Sequence, residues 1–75
     1  MNSKEVNFRK KLGAKIQEIR VSRNMTQSDL AASIGYKDFQ SLARIENGRV
    51  TTSIYTIYLI AKGLNCSIDE LTSDV

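Results

Sequence analysis

Residues 25–49 read "MTQSDLAASIGYKDFQSLARIENGR", and this stretch contains two helix-start patterns in close succession. In the first, Thr26 precedes Asp29 at the third helical position, which is typical of an N-cap with a negative charge near the positive end of the helix. The second pattern begins at Asp38, and Gly35 between the two is the expected end of the first helix. The stretch therefore predicts two short helices joined by a tight turn.

The rest of the chain also favours helices, because proline is absent and alternating β-branched runs are few. Apolar residues near the N terminus recur at steps of four, four and three: Phe8, Leu12, Ile16 and Ile19. This spacing predicts a helix over about residues 7–23, preceded by a flexible arm at residues 1–7. Ser53 and Ser67 are candidate N-caps of two further helices. The remaining candidate core residues are Leu30, Ala31, Ile34, Leu42, Ile45, Ile54, Ile57, Ile60, Ala61, Leu64, Ile68 and Leu71. We therefore expect an all-α fold of five helices in a single domain over residues 1–75.

Length and composition exclude several classes of function. A chain of 75 residues is near the lower limit for one hydrophobic core and leaves little room for a deep catalytic cleft. Cys66 is the only cysteine and histidine is absent, so we expect no intramolecular disulfide, no metal site and no cofactor. No apolar run is long enough to span a bilayer, which favours a cytoplasmic protein without membrane contact. Nothing offers a nucleophile with its base, so an enzyme is not expected.

Charge is distributed unevenly along the chain. Residues 1–49 hold ten of the eleven Lys and Arg and five of the eight acids, whereas residues 50–75 carry a net negative charge. This asymmetry indicates one side that faces a polyanion and one that is turned away from it.

Two short helices joined by a glycine-containing turn form a helix-turn-helix, whose second helix enters the DNA major groove. The segments "LGAKIQEIR", "MTQSDLAASIG" and "SLARIENGR" resemble the lambda-repressor/Cro-like helix-turn-helix family, and "GLNCSIDEL" resembles its usual final helix. The resemblance covers roughly residues 8–72 and implies a small transcriptional regulator. Restriction–modification controller proteins and small phage-type repressors are the closest members in build.

In that family, exposed positions near the start of the second helix reach base edges. The resemblance places this helix at Asp38–Asn47, and the base-reading positions are Phe39, Gln40, Ser41 and Arg44. Arg44 suits guanine and Gln40 suits adenine, because each forms two parallel hydrogen bonds in the major groove. The Phe39 ring either covers a thymine methyl group or folds back onto Tyr36. The turn before this helix is one residue longer than is commonest, which leaves the register of residues 36–40 open.

The resemblance also assigns contacts to the DNA backbone and one structural pair. The expected phosphate-binding residues are Gln27, Lys37, Asn47 and Arg49, with Lys15 or Arg23 as further candidates. The resemblance also implies that Gln27 braces the DNA-reading helix. Arg20 and Glu46 match an arginine and a glutamate that pair in the family, and we interpret them as a partly buried ion pair that ties the first helix to the end of the DNA-reading helix. The alternative for Arg20 is a direct DNA contact.

A short DNA-reading helix covers few base pairs, so we expect a homodimer on a near-palindromic operator of double-stranded DNA. The predicted dimer interface consists of Tyr55, Tyr58, Leu59, Ile68 and Leu71. The alternative for Tyr58, Ile68 and Leu71 is that they complete the core. No small-molecule ligand is expected. Two other functions remain open, namely an antitoxin that also binds a toxin protein and a protein-binding adaptor with little DNA affinity.

Overall fold

A computed structural model describes residues 2–73 and 75 of the chain, and over these residues the only regular elements are five α-helices. They are α1 (Ser3–Ser22), α2 (Gln27–Ser33), α3 (Gln40–Glu46), α4 (Ile54–Leu64) and α5 (Ile68–Thr72). The predicted all-α class with five helices is confirmed. Within the described residues, no helix has both the length and the apolar character needed to cross a bilayer.

Three of the predicted N-caps form as expected. The Thr26 hydroxyl accepts the N–H of Asp29 at 3.0 Å, and the Asp29 carboxylate accepts the N–H of Thr26 at 2.9 Å, which completes a capping box at the start of α2. Ser53 and Ser67 each accept the backbone N–H three residues further on, at 3.1 Å in both cases. These local hydrogen bonds fix where α2, α4 and α5 begin.

The predicted start of the first helix at residue 7 is wrong. Asn2 caps α1, because its side-chain oxygen accepts the N–H of Glu5 at 2.8 Å. Residues 3–7, which we predicted as part of a flexible arm, therefore belong to the first turns of α1. Met1, the remaining residue of that predicted arm, lies outside the described residues.

The predicted start of the DNA-reading helix also needs correction. This helix was placed at Asp38–Asn47, whereas α3 begins at Gln40 and Phe39 occupies its N-cap position. The Asp38 carboxylate accepts the N–H of Gln40 at 2.9 Å and so closes the turn before the helix. The extra residue of the turn is accommodated here, which moves Asp38 out of the helix.

The core lies between α1, α2, α3, α4 and α5 and contains most of the predicted apolar residues. Its buried members are Leu12, Ile16, Leu30, Ala31, Ile34, Leu42, Ile45, Ile57, Ile60, Ala61, Leu64 and Leu71. Two predictions are wrong, because Phe8 is 46% exposed and Ile54 is 72% exposed. Phe8 lies in the N-terminal half of α1 and Ile54 begins α4, and both border an open groove instead of facing the core.

Two glycines set how closely α1 approaches the end of α3. A Cβ atom on Gly13 would stand 2.5 Å from the carbonyl oxygen of Ile45 and closer still to that of Glu46, so α1 crosses α3 in direct backbone contact. Gly48 follows α3 with φ +71°, a conformation that favours glycine, and it lies against the backbone and stem of Lys10. These contacts fix the orientation of α3 against α1.

Candidate nucleic-acid interface

The outer face of α3 presents three of the predicted base-reading residues. Leu42 and Ile45 are buried and anchor the helix to the core. Gln40, Ser41 and Arg44 are exposed and lie on one face, because residues three and four positions apart are neighbours on a helix. Within residues 2–73 and 75, their side chains form no hydrogen bond or ion pair with the rest of the chain. The donors and acceptors of this face are therefore available to a partner.

Phe39 lies at the N-terminal end of this face and is 46% exposed. Its ring borders one shallow groove together with Gln27 and Ser28. It borders a second groove together with Tyr36 and Lys37. The ring thus divides the two grooves, and the half that faces outward is accessible to a ligand that approaches α3.

Arg20 and Glu46 form the predicted ion pair. Nε of Arg20 lies 2.8 Å from one carboxylate oxygen of Glu46, and Nη2 lies 3.3 Å from the other. The third guanidinium nitrogen of Arg20 donates to the carbonyl oxygen of Met25 at 2.7 Å. Both residues are buried, so Arg20 serves the fold and is not an exposed DNA contact.

Gln27 was predicted as a phosphate ligand, and the structure joins it to this ion pair. Its side-chain nitrogen donates to Glu46 Oε1 at 3.0 Å. Gln27 is half-buried as the first residue of α2, and it borders the same groove as Thr26, Ser28 and Phe39. The family resemblance implied that Gln27 braces the DNA-reading helix, and the structure identifies Glu46, 19 positions further on, as the residue that it bonds.

The other predicted phosphate ligands lie in loops at the two ends of α3. Lys37 is exposed in the turn before α3, and Asn47 and Arg49 are exposed directly after it. The N–H of Arg49 donates to the carbonyl oxygen of Arg44 at 3.0 Å, which holds the second loop against the helix. Lys10 was not among the predicted phosphate ligands. Its aliphatic stem packs against Gly48, beside Arg49, and it is a further candidate for binding a backbone phosphate.

One of the additional cations also has a structural role. Nε of Arg23 donates to the carbonyl oxygen of Leu64 at 2.6 Å, so its guanidinium binds the C-terminal end of α4. This hydrogen bond joins the end of α1 to α4, and the side chain of Arg23 is otherwise exposed, so Arg23 stays a further candidate for binding phosphate.

The predicted dimer interface is only partly accessible. Leu71 is fully buried in the core, so its assignment to an interface is wrong. Leu59 and Ile68 are half-buried and pack against the core. Tyr55 and Tyr58 are exposed and stacked, with ring centroids 6.3 Å apart.

An exposed surface larger than the predicted dimer interface, which we call the apolar face, includes residues that were predicted to lie in the core or were assigned neither to the core nor to the interface. Its members are Phe8, Val50, Ile54, Tyr55 and Tyr58. Phe8, Val50 and Ile54 border a groove of about 350 Å³ whose floor includes Leu12, Ile45 and Ile57. Tyr58 lies one turn after Ile54 on α4, so the tyrosines continue this surface.

Comparison with protein families matches residues 16–71 to a family described as Helix-turn-helix (HTH_3). The match spans more than half of the chain and includes all of α2, α3 and α4. The chain belongs to this helix-turn-helix family. Comparison with curated protein sequences gives no match.

Solved structures of helix-turn-helix proteins have the same fold. The restriction-modification controller protein C.AhdI from Aeromonas hydrophila gives a TM-score of 0.83 at 26% identity, over 88% of this chain and 94% of that chain. An HTH_3 family transcriptional regulator from Vibrio cholerae gives a TM-score of 0.84 at 26% identity, over 93% of this chain and 39% of that chain. The clp gene regulator ClgR from C. glutamicum gives a TM-score of 0.81 at 23% identity, over 85% of this chain and 82% of that chain. At this identity the likeness shows only that the fold is shared.

Membership in the helix-turn-helix family assigns the two helices of the motif. α2 is the first helix and α3 is the second, which in this motif is the one that enters the major groove. The predicted resemblance is confirmed, and the chain has the DNA-binding domain of a helix-turn-helix transcription regulator.

Cys66 lies away from α3 and is half-buried. Burial raises the pKa of its thiol, the nearby Glu70 carboxylate raises it further, and Arg23 opposes the change. The thiol is therefore protonated at neutral pH, and in this helix-turn-helix domain it behaves as a packing residue.

Proposed function

We propose that this chain is a transcriptional regulator that reads a specific DNA sequence with α3 and binds a near-palindromic operator as a homodimer. The observation that carries the proposal is the face of Gln40, Ser41 and Arg44, which is exposed and makes no side-chain bond within the described residues. Polar groups that can each bind a base edge are concentrated on the helix that the family inserts into the major groove.

Each residue of this face has a role that follows from its chemistry. Arg44 binds guanine through two hydrogen bonds, Gln40 binds adenine in the same way, and Ser41 bonds either a base or a phosphate. The exposed half of the Phe39 ring covers a thymine methyl group. Base contacts of this kind give the sequence preference, and the loops on either side supply affinity.

The phosphate contacts come from Gln27 and from the loops at both ends of α3. Lys37, Asn47 and Arg49 are exposed on either side of the base-reading face, where they meet the two strands of DNA that border a groove. Because cations that bind phosphate release counterions, affinity falls with salt by a log–log slope of about −0.9 per phosphate neutralised.

The type of regulation that we propose is control of a restriction–modification system. C.AhdI is a restriction-modification controller protein, and the likeness to it covers almost all of both chains. A small phage-type repressor is the alternative with the same build, and the genes that lie beside the operator distinguish the two.

Selection of bound sequences from a pool of random duplexes tests the proposal. We expect two enriched half-sites related by a two-fold axis and separated by roughly 10 base pairs, or a multiple of this spacing. Arg44→Ala is expected to weaken binding to the selected site by about 1–3 kcal/mol and to relax the preference at one position. Lys11→Ala, which removes one exposed charge from α1, serves as the matched control and should leave the preference unchanged.

The outcomes of this selection separate the proposed function from the alternatives. Enrichment of no sequence, together with no salt-dependent DNA affinity, would favour a protein-binding adaptor. Specific binding to DNA by a single copy would leave the apolar face for a different protein, as in an antitoxin.

A further inference from the structure

We propose that Phe39 recognises the C5-methyl group of a pyrimidine, whether the base is thymine or 5-methylcytosine, and that methylation of a cytosine under this ring strengthens binding to the operator. The inference rests on the proposed function and goes beyond it, because it adds a modified base to those that the chain distinguishes.

The backbone around Phe39 is held by hydrogen bonds on both sides. The carbonyl oxygen of Phe39 accepts the N–H of Ala43 at 2.9 Å, which is the first hydrogen bond within α3. The N–H of the next residue, Gln40, donates to the Asp38 carboxylate at 2.9 Å. The ring is therefore attached to a fixed point at the start of α3, and it approaches DNA together with the base-reading face.

Only the outer half of the ring is open to a ligand. Phe39 is 46% exposed, and the grooves on its two sides are both bordered by Ser28 of α2. The covered half of the ring therefore lies toward α2. The exposed half has no hydrogen-bonding group, so it gains from contact with an apolar group and offers nothing to a polar one.

The major groove presents one kind of apolar group to such a ring. The base edges there consist of polar nitrogen and oxygen atoms, with the C5-methyl group of thymine as the exception. 5-Methylcytosine carries a methyl group on the same ring atom, so it places the same apolar surface in the groove. A ring that covers the methyl group of one base therefore also covers that of the other.

The other three residues predicted to read bases end in hydrogen-bonding groups. They are Gln40, Ser41 and Arg44, and their side chains suit the polar edges of bases. Removal of one methyl group from the DNA takes away none of the donors or acceptors that these side chains bind. A response to the methyl group alone therefore separates the contact of Phe39 from theirs.

The size of the effect follows from the burial of one methyl group. We expect roughly a fourfold change in affinity, which corresponds to about 0.8 kcal/mol. Because the contact involves no charge, this ratio should stay the same as salt is added, although the affinity itself falls. A DNA cytosine C5-methyltransferase that acts on the operator would thus raise its occupancy at a given concentration of the regulator.

Replacement of single bases in the selected operator tests the inference on the unaltered chain. Uracil takes the place of each thymine of a half-site in turn, which removes only the methyl group, and fluorescence anisotropy gives the dissociation constant. We expect one position at which the affinity falls roughly fourfold. At that position, a pair of 5-methylcytosine with guanine should bind roughly fourfold more tightly than a pair of cytosine with guanine.

Variants of the chain assign the effect to the ring. Phe39→Ala should lose both ratios, that of thymine to uracil and that of 5-methylcytosine to cytosine. Phe39→Leu keeps an apolar side chain and should retain most of both. Lys37→Ala removes a neighbouring charge and is the matched control, which should weaken binding without changing either ratio. Circular dichroism shows that each variant is folded, and Phe39→Gln replaces Phe39→Ala if the latter does not fold.

Three results would contradict the inference while leaving the proposed function intact, provided that Arg44→Ala still relaxes the preference at its own position. The first is an operator in which no thymine responds to uracil. The second is a preference for thymine over uracil without one for 5-methylcytosine over cytosine. The third is a methyl preference that survives in Phe39→Ala, because another side chain, such as half-buried Ala43, would then make the contact. Absence of any sequence-specific binding by the unaltered chain would overturn both the inference and the proposed function.

Discussion

Arg20 is the residue on which the fit between α1 and α3 depends most. Its guanidinium binds Glu46 at the end of α3 and the carbonyl oxygen of Met25 at the turn before α2. The residue pattern, read through the family resemblance, was enough to predict the pair with Glu46. The resemblance also implied that Gln27 braces the DNA-reading helix, but it did not name Glu46 as the partner, because the direction of a side-chain amide depends on packing that no local pattern records.

Arg20→Ala is expected to lower the free energy of unfolding by about 3–5 kcal/mol, because it leaves the Glu46 carboxylate buried without its counter-charge. Urea unfolding monitored by circular dichroism measures the loss. The double variant Arg20→Met, Glu46→Met removes both charges and should recover most of the lost free energy of unfolding. Unchanged melting with a loss of specific DNA binding would show that Arg20 contacts DNA instead.

Gly13 is a second residue whose role appears only in the packed molecule. A Cβ atom there would overlap the carbonyl oxygens of Ile45 and Glu46, so α1 and α3 must separate to accommodate it. We expect Gly13→Ala to destabilise the domain by about 1–3 kcal/mol, although alanine is the better helix former. The measurement is the thermal unfolding of Gly13→Ala compared with that of Lys11→Ala, a substitution at an exposed position of the same helix. Equal or higher stability of Gly13→Ala would contradict the close approach.

The starts of the helices show which elements local sequence can specify. α2, α4 and α5 begin where Thr26, Ser53 and Ser67 predict, since a cap bonds an N–H only three residues away. α3 has no such cap, and its start follows from how the longer turn closes through Asp38. Local chemistry therefore predicts these three capped helices. It did not identify the Asn2 cap of α1, and the start of the DNA-reading helix depends on tertiary structure.

Thr26→Ala is expected to lower the free energy of unfolding by about 1 kcal/mol, because the N–H of Asp29 loses its acceptor at the start of α2. Denaturant unfolding at neutral pH gives this difference. Thr52→Ala, which changes the same residue type in the loop before α4, is the comparison, since the Thr52 side chain makes no hydrogen bond within the described residues. An equal effect of both substitutions would argue against the capping box.

The same capping box predicts a pH dependence. The backbone N–H of Thr26, followed by its side chain, lowers the pKa of Asp29 below the ordinary value of 3.8. A carboxyl group whose pKa is lowered by folding stabilises the folded state above pH 3.8. This stabilisation is lost as the pH falls through the lower pKa of the folded state. We expect the stability difference between the unaltered chain and Asp29→Asn to shrink on acidification below pH 3.8. A difference that stays constant down to pH 2 would contradict this.

On the scale of the whole molecule, the apolar face is the feature that a single copy does not explain. Phe8 and Ile54 follow the periodicity of core residues, yet both are exposed and border an open groove. Helical spacing identifies an apolar stripe but cannot tell whether the same chain or a second copy covers it. This is why the sequence predicted these two residues as core and placed the interface partly on buried Leu71.

Ile54→Lys is expected to prevent dimer formation, because it places a charge at the centre of the apolar face. Since Ile54 is 72% exposed in one copy, the substitution should change the stability of the monomer by less than about 0.5 kcal/mol. Val21→Lys is the matched control, because it adds the same charge at an exposed apolar position of α1 outside this face. Analytical ultracentrifugation at micromolar concentration should show a dimer for the unaltered chain and for Val21→Lys, and a monomer for Ile54→Lys.

Affinity for a two-half-site duplex should fall only in Ile54→Lys, while binding to a single half-site stays unchanged. A dimer that survives Ile54→Lys would place the interface elsewhere, and an unaltered chain that stays monomeric on two half-sites would remove the homodimer from the proposed function.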